Sequence, residues 1–284
     1  MAKWYTKYLQ VFEKPINQIS NETLIMIRDQ LKEFTTNDSP LVSVVLIAHN
    51  EELHLVSCLW SLSENRCQFP MEILVANNNS TDRTEEILQL LEVNYFNEKR
   101  KGPGYARQCG LDHAKGKYYI CIDADTLYPP FYIQTHVKEL IKPNVVGTFS
   151  LWSFMIDKNN SKFGLWLYEN LRDIYLRLQS IKRPELCVRG MAFGFKTQIG
   201  QKIGFRTDII RGEDGSLALA MKPYGKLIFI TSRKARVLTS NSTLNAKGNL
   251  LINLWIRIIK GCKGINGLFI RKKTYQDDES NLIK

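Results

Sequence analysis

The sequence predicts an α/β protein with a mostly parallel central sheet flanked by helices. Short, continuous apolar runs at 42–48, 72–76 and 118–122 have the pattern of strands buried on both faces. Helical stretches alternate with them, and that alternation argues for parallel strands joined by crossover helices. The 284 residues are 44% hydrophobic and 24% charged, which supplies a real core and excludes a disordered chain or a disulfide-bound miniprotein.

In chain order, residues 1–40 predict an amino-terminal helical extension, clearest at 21–33 and closed by a breaker at 35–40. The strand at 42–48 leads to a helix at 51–62 and a second strand at 72–76. A polar turn at 77–81 follows, and Asp82 with Glu85 has the spacing of a helix start. A third strand is expected at 94–96, a helix at 104–114 after Lys-Gly-Pro-Gly, and a fourth strand at 118–122. Beyond Pro143 the alternation weakens. A long helix is expected at 161–181 with Trp166 and its apolar neighbours in the core, then a Gly-rich loop at 189–195. A helix from Glu213 and short strands at 227–230 and 235–238 complete the body.

Charge separates the body from its end. Residues 215–276 hold twelve Lys and Arg and no acid, while the whole chain is +11, so the rest is close to neutral. A nucleic-acid-binding domain would more often spread its charge over the body, and no nucleic-acid partner is expected. No signal peptide or membrane-spanning run is visible, and the six cysteines lack Cys-x-x-Cys spacing, so the expectation is a reduced, cytoplasmic protein. Neither the cysteines nor the four histidines are spaced as zinc ligands.

The sharpest chemical feature is Asp123-Ala124-Asp125 at the end of an apolar strand. Residues i and i+2 of an extended chain face the same way. Two carboxylates beyond the carboxyl edge of a parallel sheet sit where such folds bind ligands. Together they can hold a divalent cation and leave positions for phosphate oxygens.

Four motifs in order, over about 85 residues, resemble the nucleotide-sugar half of family 2 glycosyltransferases. They are Ala48-His49-Asn50-Glu51-Glu52 after the first strand, Asn77-Asn78-Asn79-Ser80-Thr81-Asp82 after the second, Gly104-Tyr105-Ala106-Arg107 opening a helix, and Asp123-Ala124-Asp125. Gly212-Glu213-Asp214 and 237–240 extend the likeness more thinly.

The resemblance implies a GT-A fold over 41–245, with a nucleotide-sugar half at 41–126 and an acceptor half at 127–245. It implies inverting transfer from a nucleotide-sugar donor to a glycan or lipid-linked acceptor, assisted by Mn2+ or Mg2+. Asp125 would bind the metal, and Asp123 the metal or the ribose. Ala48, His49, Asn50, Glu51, Asn79 and Ala124 would line the donor site, with Arg107 near the diphosphate or base. Asn77 stands where the family usually has a base-reading Asp, which leaves the base open. Asp214 would be the general base and Glu213 its helper. Arg189, Gly190 and Met191 would lie on the acceptor side, with Arg189 able to meet an acceptor phosphate. The second Arg often found after the last strand is replaced by Asn241 and Ser242.

His54, His113 and His136 are expected on helix surfaces. Residues 246–284 form a basic tail. In it, Asn249, Asn253, Arg257 and Lys260 mark one helix face, and Leu250, Leu254, Trp255 and Ile258 belong to a wide apolar one. This segment fits either an interfacial helix on an anionic membrane's inner face or a helix packed on the core. Rival readings are a nucleotidyltransferase, which the missing Gly-rich triphosphate loop disfavours, and an inactive nucleotide-sugar or membrane-surface binding module.

Overall fold

The computed structural model describes residues 3–35, 39–156, 161–241 and 281. The basic segment predicted at 249–260 and its continuation lie outside these residues.

Helix α1 (Asn21–Thr35) precedes the sheet and buries Ile27 and Leu31 in the same core. Strand β1 (Val42–Ala48) is central and pairs in parallel with β2 (Met71–Asn78) and β4 (Tyr118–Asp123). Helix α2 (Leu55–Ser63) connects β1 to β2. Helix α3 (Thr84–Leu90) leads to β3 (Asn94–Glu98), which pairs in parallel with β2. Helix α4 (Pro103–His113) returns the chain to β4. Both faces of β1, β2 and β4 are covered, which explains their apolar runs.

The chain then leaves this pattern. Strand β5 (Thr126–Leu127) and helix α5 (Tyr132–Leu140) precede β6 (Val145–Ser150) and β7 (Trp152–Phe154). Helix α6 (Lys162–Lys182) leads to β8 (Phe193–Lys196) and α7 (Thr197–Ile203). Helix α8 (Glu213–Met221), β9 (Lys226–Ile230) and β10 (Val237–Thr239) complete the fold. The main sheet runs β3-β2-β1-β4-β8-β6-β9, with β8 antiparallel to both neighbours. Strands β5, β10 and β7 form a small second sheet.

Three expectations are corrected. Residues 193–196 are a strand at the heart of the sheet, where a Gly-rich loop was expected; Gly194 leaves room for the Ile120 side chain on β4. His136 is fully buried between Thr148 and Ser150, 2.9 and 3.4 Å away, and burial alone pushes its imidazole down to about 3. Trp166 and several apolar neighbours on α6 are exposed, because the helix packs through Leu165, Tyr168 and Leu176 instead.

A buried polar knot ties the start of β4 to β1 and β2. The Glu72 carboxylate accepts from the Ser43 hydroxyl and, at 2.8 Å, from the Lys115 amide; Ser43 Oγ accepts from the Gly116 amide at 2.8 Å. Glu72→Leu strands these donors and should cost about 2–3 kcal/mol in denaturant unfolding. Glu72→Gln keeps an acceptor oxygen and should cost less than half as much.

Candidate active site

The carboxyl ends of β1, β2 and β4 converge on a cavity of about 730 Å3. Its wall includes Ala48 at the end of β1 with His49 and Glu51 beyond it, Asn78 on β2, Lys101, Gly102, Pro103, Ala106 and Arg107 at the start of α4, and Asp123, Ala124 and Asp125 at the end of β4. Ile210, Glu213 and Asp214 close the far side. This is the edge at which parallel sheets bind ligands.

Two of the sequence motifs build the rim by bonding to each other. Asn50 adopts φ +56°, accepts from the Thr81 amide at 2.7 Å and sends its own amide to Ser80 Oγ at 3.0 Å. The Glu51 amide donates to Thr84 Oγ1 at 2.8 Å and the Glu52 amide to Asp82 Oδ2 at 3.0 Å. Asn79 takes φ +54° in the same turn. Asn50 and Asn79 do not line the cavity; they shape the loops that carry its wall. Asn tolerates the left-handed backbone better than other side chains with a Cβ.

Asn77 is also turned away. Successive residues of a strand point to opposite sides. Asn77 donates to Asn97 Oδ1 on β3 at 2.8 Å, and Asn97 donates on to Glu85 of α3 at 2.8 Å. Asn78 is the residue that reaches the cavity, and it is occupied. It donates to the carbonyls of Glu98 and Arg100 at 3.1 and 2.6 Å and accepts from the Gly102 amide at 3.0 Å. Asn77, expected to read the base, is held on Asn97 and is not among the residues that line the cavity. His49 Nδ1 lies 2.6 Å from the Asn78 carbonyl oxygen. A carbonyl only accepts, so Nδ1 carries a proton in this contact.

Arg107 is the centre of the site. Its side chain is 1% exposed. Nη1 donates to the Ile122 carbonyl at 3.0 Å, Nη2 donates to the Asp123 carboxylate, and Nε lies 3.5 Å from Asp214 Oδ1. Burial works against its charge, and the fields of Asp123 and Asp214 outweigh burial and hold it cationic. Burial pushes Asp123 up to about 6, Arg107 pulls it down, and the neighbouring Asp125 raises it. Its side chain is 33% exposed, so water in the open cavity moderates this rise. Burial likewise pushes Asp214 up to about 7 against the pull of Arg107, with Glu213 adding to the rise.

The backbone is fitted to this cluster. Gly212 takes φ +96° just before α8, so Glu213 and Asp214 occupy the first turn, where the helix dipole favours negative charge. A Cβ on Gly190 would fall 2.1 Å from Arg107 Nη2 and 2.5 Å from Asp214 Oδ2. Gly190 thus belongs to the carboxylate cluster. Arg189 does not line the cavity: its guanidinium folds back to the Val188 and Leu186 carbonyls at 2.5 and 3.2 Å and stacks near Trp152. The Met191 carbonyl accepts from the hydroxyls of Tyr128 and Tyr132, each at 3.3 Å.

Strand β4 stops at Asp123, and the chain turns through Ala124 and Asp125 before β5. A turn, and not continued extension, brings both carboxylates to the cavity. Asp125 is aimed from the small sheet. The Ser240 hydroxyl donates to Oδ2, the Ser240 amide to the Asp125 carbonyl at 3.1 Å, and Thr126 Oγ1 to Oδ1 at 3.2 Å. Tyr128 accepts the Asp123 amide at 2.9 Å. Sequence reasoning did not single out Ser240, Tyr128, Asn78 or Lys101. Asn78 and Ser240 stood in motif segments, and the pairing of Ser240 with Asp125 is long-range. Among the described residues no group of three or more His, Cys, Asp or Glu side chains is disposed to hold a metal. Asp125 and Asp123 can supply two carboxylates, the number typical for a cation shared with substrate phosphates.

The sequence model of Glycosyl transferase family 2 matches residues 43–204, more than half of the chain. The chain belongs to that family. An uncharacterized glycosyltransferase of Methanocaldococcus jannaschii is 24% identical over 189 residues, covering 62% of this chain and 63% of that one. A second, from Rickettsia bellii, is 27% identical over 192 residues, covering 66% of this chain and 26% of that one. The chain therefore spans less than two thirds of these relatives.

A UDP-Glc:alpha-D-GlcNAc-diphosphoundecaprenol beta-1,3-glucosyltransferase of Escherichia coli is 27% identical over 131 residues, covering 45% of this chain and 51% of that one. Among solved structures, a mannosyltransferase from Pyrobaculum calidifontis in complex with GDP-Man and Mn2+ superposes with a TM-score of 0.54 at 19% identity, covering 76% of this chain and 64% of that one. Glucosyl-3-phosphoglycerate synthase from Mycobacterium tuberculosis, in complex with Mn2+, UDP-Glc and phosphoglyceric acid, gives 0.52 at 18%, covering 87% and 86%. The fold is GT-A.

Arg107→Met leaves Asp123 and Asp214 without their shared cation. The variant should lose about 3–5 kcal/mol at pH 8. It should lose clearly less at pH 5, where both carboxyls can take up protons; denaturant unfolding at the two pH values checks this.

Proposed function

We propose that this chain transfers a sugar from a nucleoside-diphosphate donor to a hydroxyl group of a glycan or lipid-linked acceptor, with inversion at the anomeric carbon. The observation that carries the reading is the Asp123–Arg107–Asp214 bridge. It sets a donor-side carboxylate and a raised carboxyl on α8 across one cavity. Family membership and the nucleotide-sugar complexes of the GT-A neighbours support it.

The donor would lie along the strand ends, with its base by His49 and Lys101 and its diphosphate by Asp123 and Asp125. Asp125, aimed by Ser240 and Thr126, would hold Mn2+ or Mg2+ with help from Asp123. Such a cation supplies neutralisation of the charge that grows on the departing diphosphate. Asp214 takes the proton of the acceptor hydroxyl as its oxygen bonds to the anomeric carbon and the bond to the diphosphate oxygen breaks. Arg107 positions Asp214, and Glu213 beside it contacts the acceptor. Gly190 and Met191 flank the acceptor's approach, with Arg189 farther out.

Base reading passes from Asn77 to His49. Its Nε2 accepts from an imino N–H such as uracil N3–H or guanine N1–H, and Lys101 donates to the adjoining carbonyl oxygen.

Asp214→Asn should lower kcat about 10²–10⁴-fold while nucleoside diphosphate affinity stays within a factor of about three. Full activity in this variant would refute the base assignment. The base must be ionised, so wild-type kcat/KM should rise with pH through about 7, and the residual activity of Asp214→Asn should lack that limb. His49→Phe should weaken UDP or GDP binding about tenfold, the value of one lost hydrogen bond, and leave CDP binding unchanged in calorimetric titration.

A further inference from the structure

We propose that the outer face of α6 is a membrane-seating surface that lays this chain on an anionic lipid bilayer. Helix α6 is apolar on two opposite sides. One side packs on the body through Leu165, Tyr168 and Leu176. The other presents Phe163, Trp166, Ile174, Leu178 and Ile181, exposed by 71, 58, 57, 57 and 69%. A helix on a water-facing surface keeps that side polar. At 1.5 Å per residue the strip from Phe163 to Ile181 runs about 27 Å. Contiguous exposure on this scale marks an interaction surface, whereas scattered apolar residues do not.

Charge selects the occupant. Both acids of α6 are drawn away from the strip. Glu169 accepts from Ser153 Oγ at 2.9 Å and from the Phe154 amide at 2.7 Å. Asp173 pairs with Arg172 at 2.8 Å and with Arg236. Lys162 and Arg177 remain exposed beside the strip. An apolar face with aromatic anchors, neighbouring cations and no acid of its own helix on it is the pattern of a helix lying in a bilayer interface, sunk about 5–10 Å among the headgroups. The stems of Lys162 and Arg177 can extend along the apolar surface and bring their charges to lipid phosphates.

The seat is linked to the cavity through the small sheet. Glu169 fastens α6 to β7, β7 pairs with β10, and Ser240 just after β10 aims Asp125. A chain resting on α6 would hold its acceptor half close to the bilayer surface. The inference stands on this surface alone and does not depend on the transfer reaction.

The test is flotation of the full-length chain with vesicles at low salt. One set is phosphatidylglycerol mixed with phosphatidylcholine and the other is phosphatidylcholine alone. The wild type should float with the anionic vesicles only. The double variant Trp166→Glu, Ile174→Glu changes exposed positions, so it should keep the wild-type melting temperature and lose at least about tenfold in partitioning. A wild type that stays in solution overturns the proposal, as does a double variant that floats equally well. A wild-type dimer that the double variant splits would assign the face to a second copy. A fall in melting temperature with unchanged flotation would assign it to another part of the same chain. Either result overturns the membrane seat.

Discussion

One buried cation organises this molecule. Arg107 is withdrawn from water, and a guanidinium in that position is tolerable only when charge and hydrogen bonds surround it. It receives the Asp123 carboxylate, the Ile122 carbonyl and the nearby Asp214. These partners come from β4 and α8, far apart in sequence. Each surrounding element yields to the arrangement. Gly190 gives up its side chain, Gly212 takes a left-handed backbone to start α8, and Tyr128 fixes the Asp123 amide. The cluster joins the first four parallel strands to the later, mixed part of the sheet at the point where the cavity opens.

The pairing also divides labour among the acids. Asp123 is shared between Arg107 and the cavity, so it is a partial ligand for anything that binds there. Among the described residues Asp125 has no such cation and is aimed by hydroxyls, which leaves its carboxylate open to the cavity. Asp214 is the most buried in effect and is held near neutrality's edge, a condition suited to gaining and losing a proton near pH 7. Three carboxylates in one cavity thus differ because their surroundings differ.

Much of the first half was legible because its strands are buried on both faces and its turns carry side chains of narrow use. The runs at 42–48 and 118–122 could hardly be anything but central strands. The second half was harder to read for a physical reason. Strand β8 is a Phe-Gly-Phe stretch whose place is set by antiparallel contacts with β4 and β6 from opposite sides, and no local pattern announces it. His136 reads as a surface helix residue, yet its helix is covered and two hydroxyls satisfy it. Trp166 reads as core, yet α6 packs through its other face. At the site, Asp123, Asp125, Arg107, Glu213 and Asp214 were all visible and the fold gathers them in one cavity. Asn50 and Asn79 take left-handed backbone in the turns that carry the cavity's wall. Asn77 and Asn78 are adjacent, and only the pleat decides which of the two faces inward. Ser240 shows its purpose only once β10 lies beside β5.

The account stands on one reaction, transfer of a sugar away from a nucleoside diphosphate at this cavity. A panel of UDP- and GDP-linked sugars, incubated with the chain and Mn2+ or Mg2+ and followed by release of nucleoside diphosphate, tests it most directly. The account predicts release from at least one donor, dependence on the cation, and loss of release in Asp125→Ala. Binding of a donor with no release under any of these conditions, or equal release from Asp125→Ala, would contradict it.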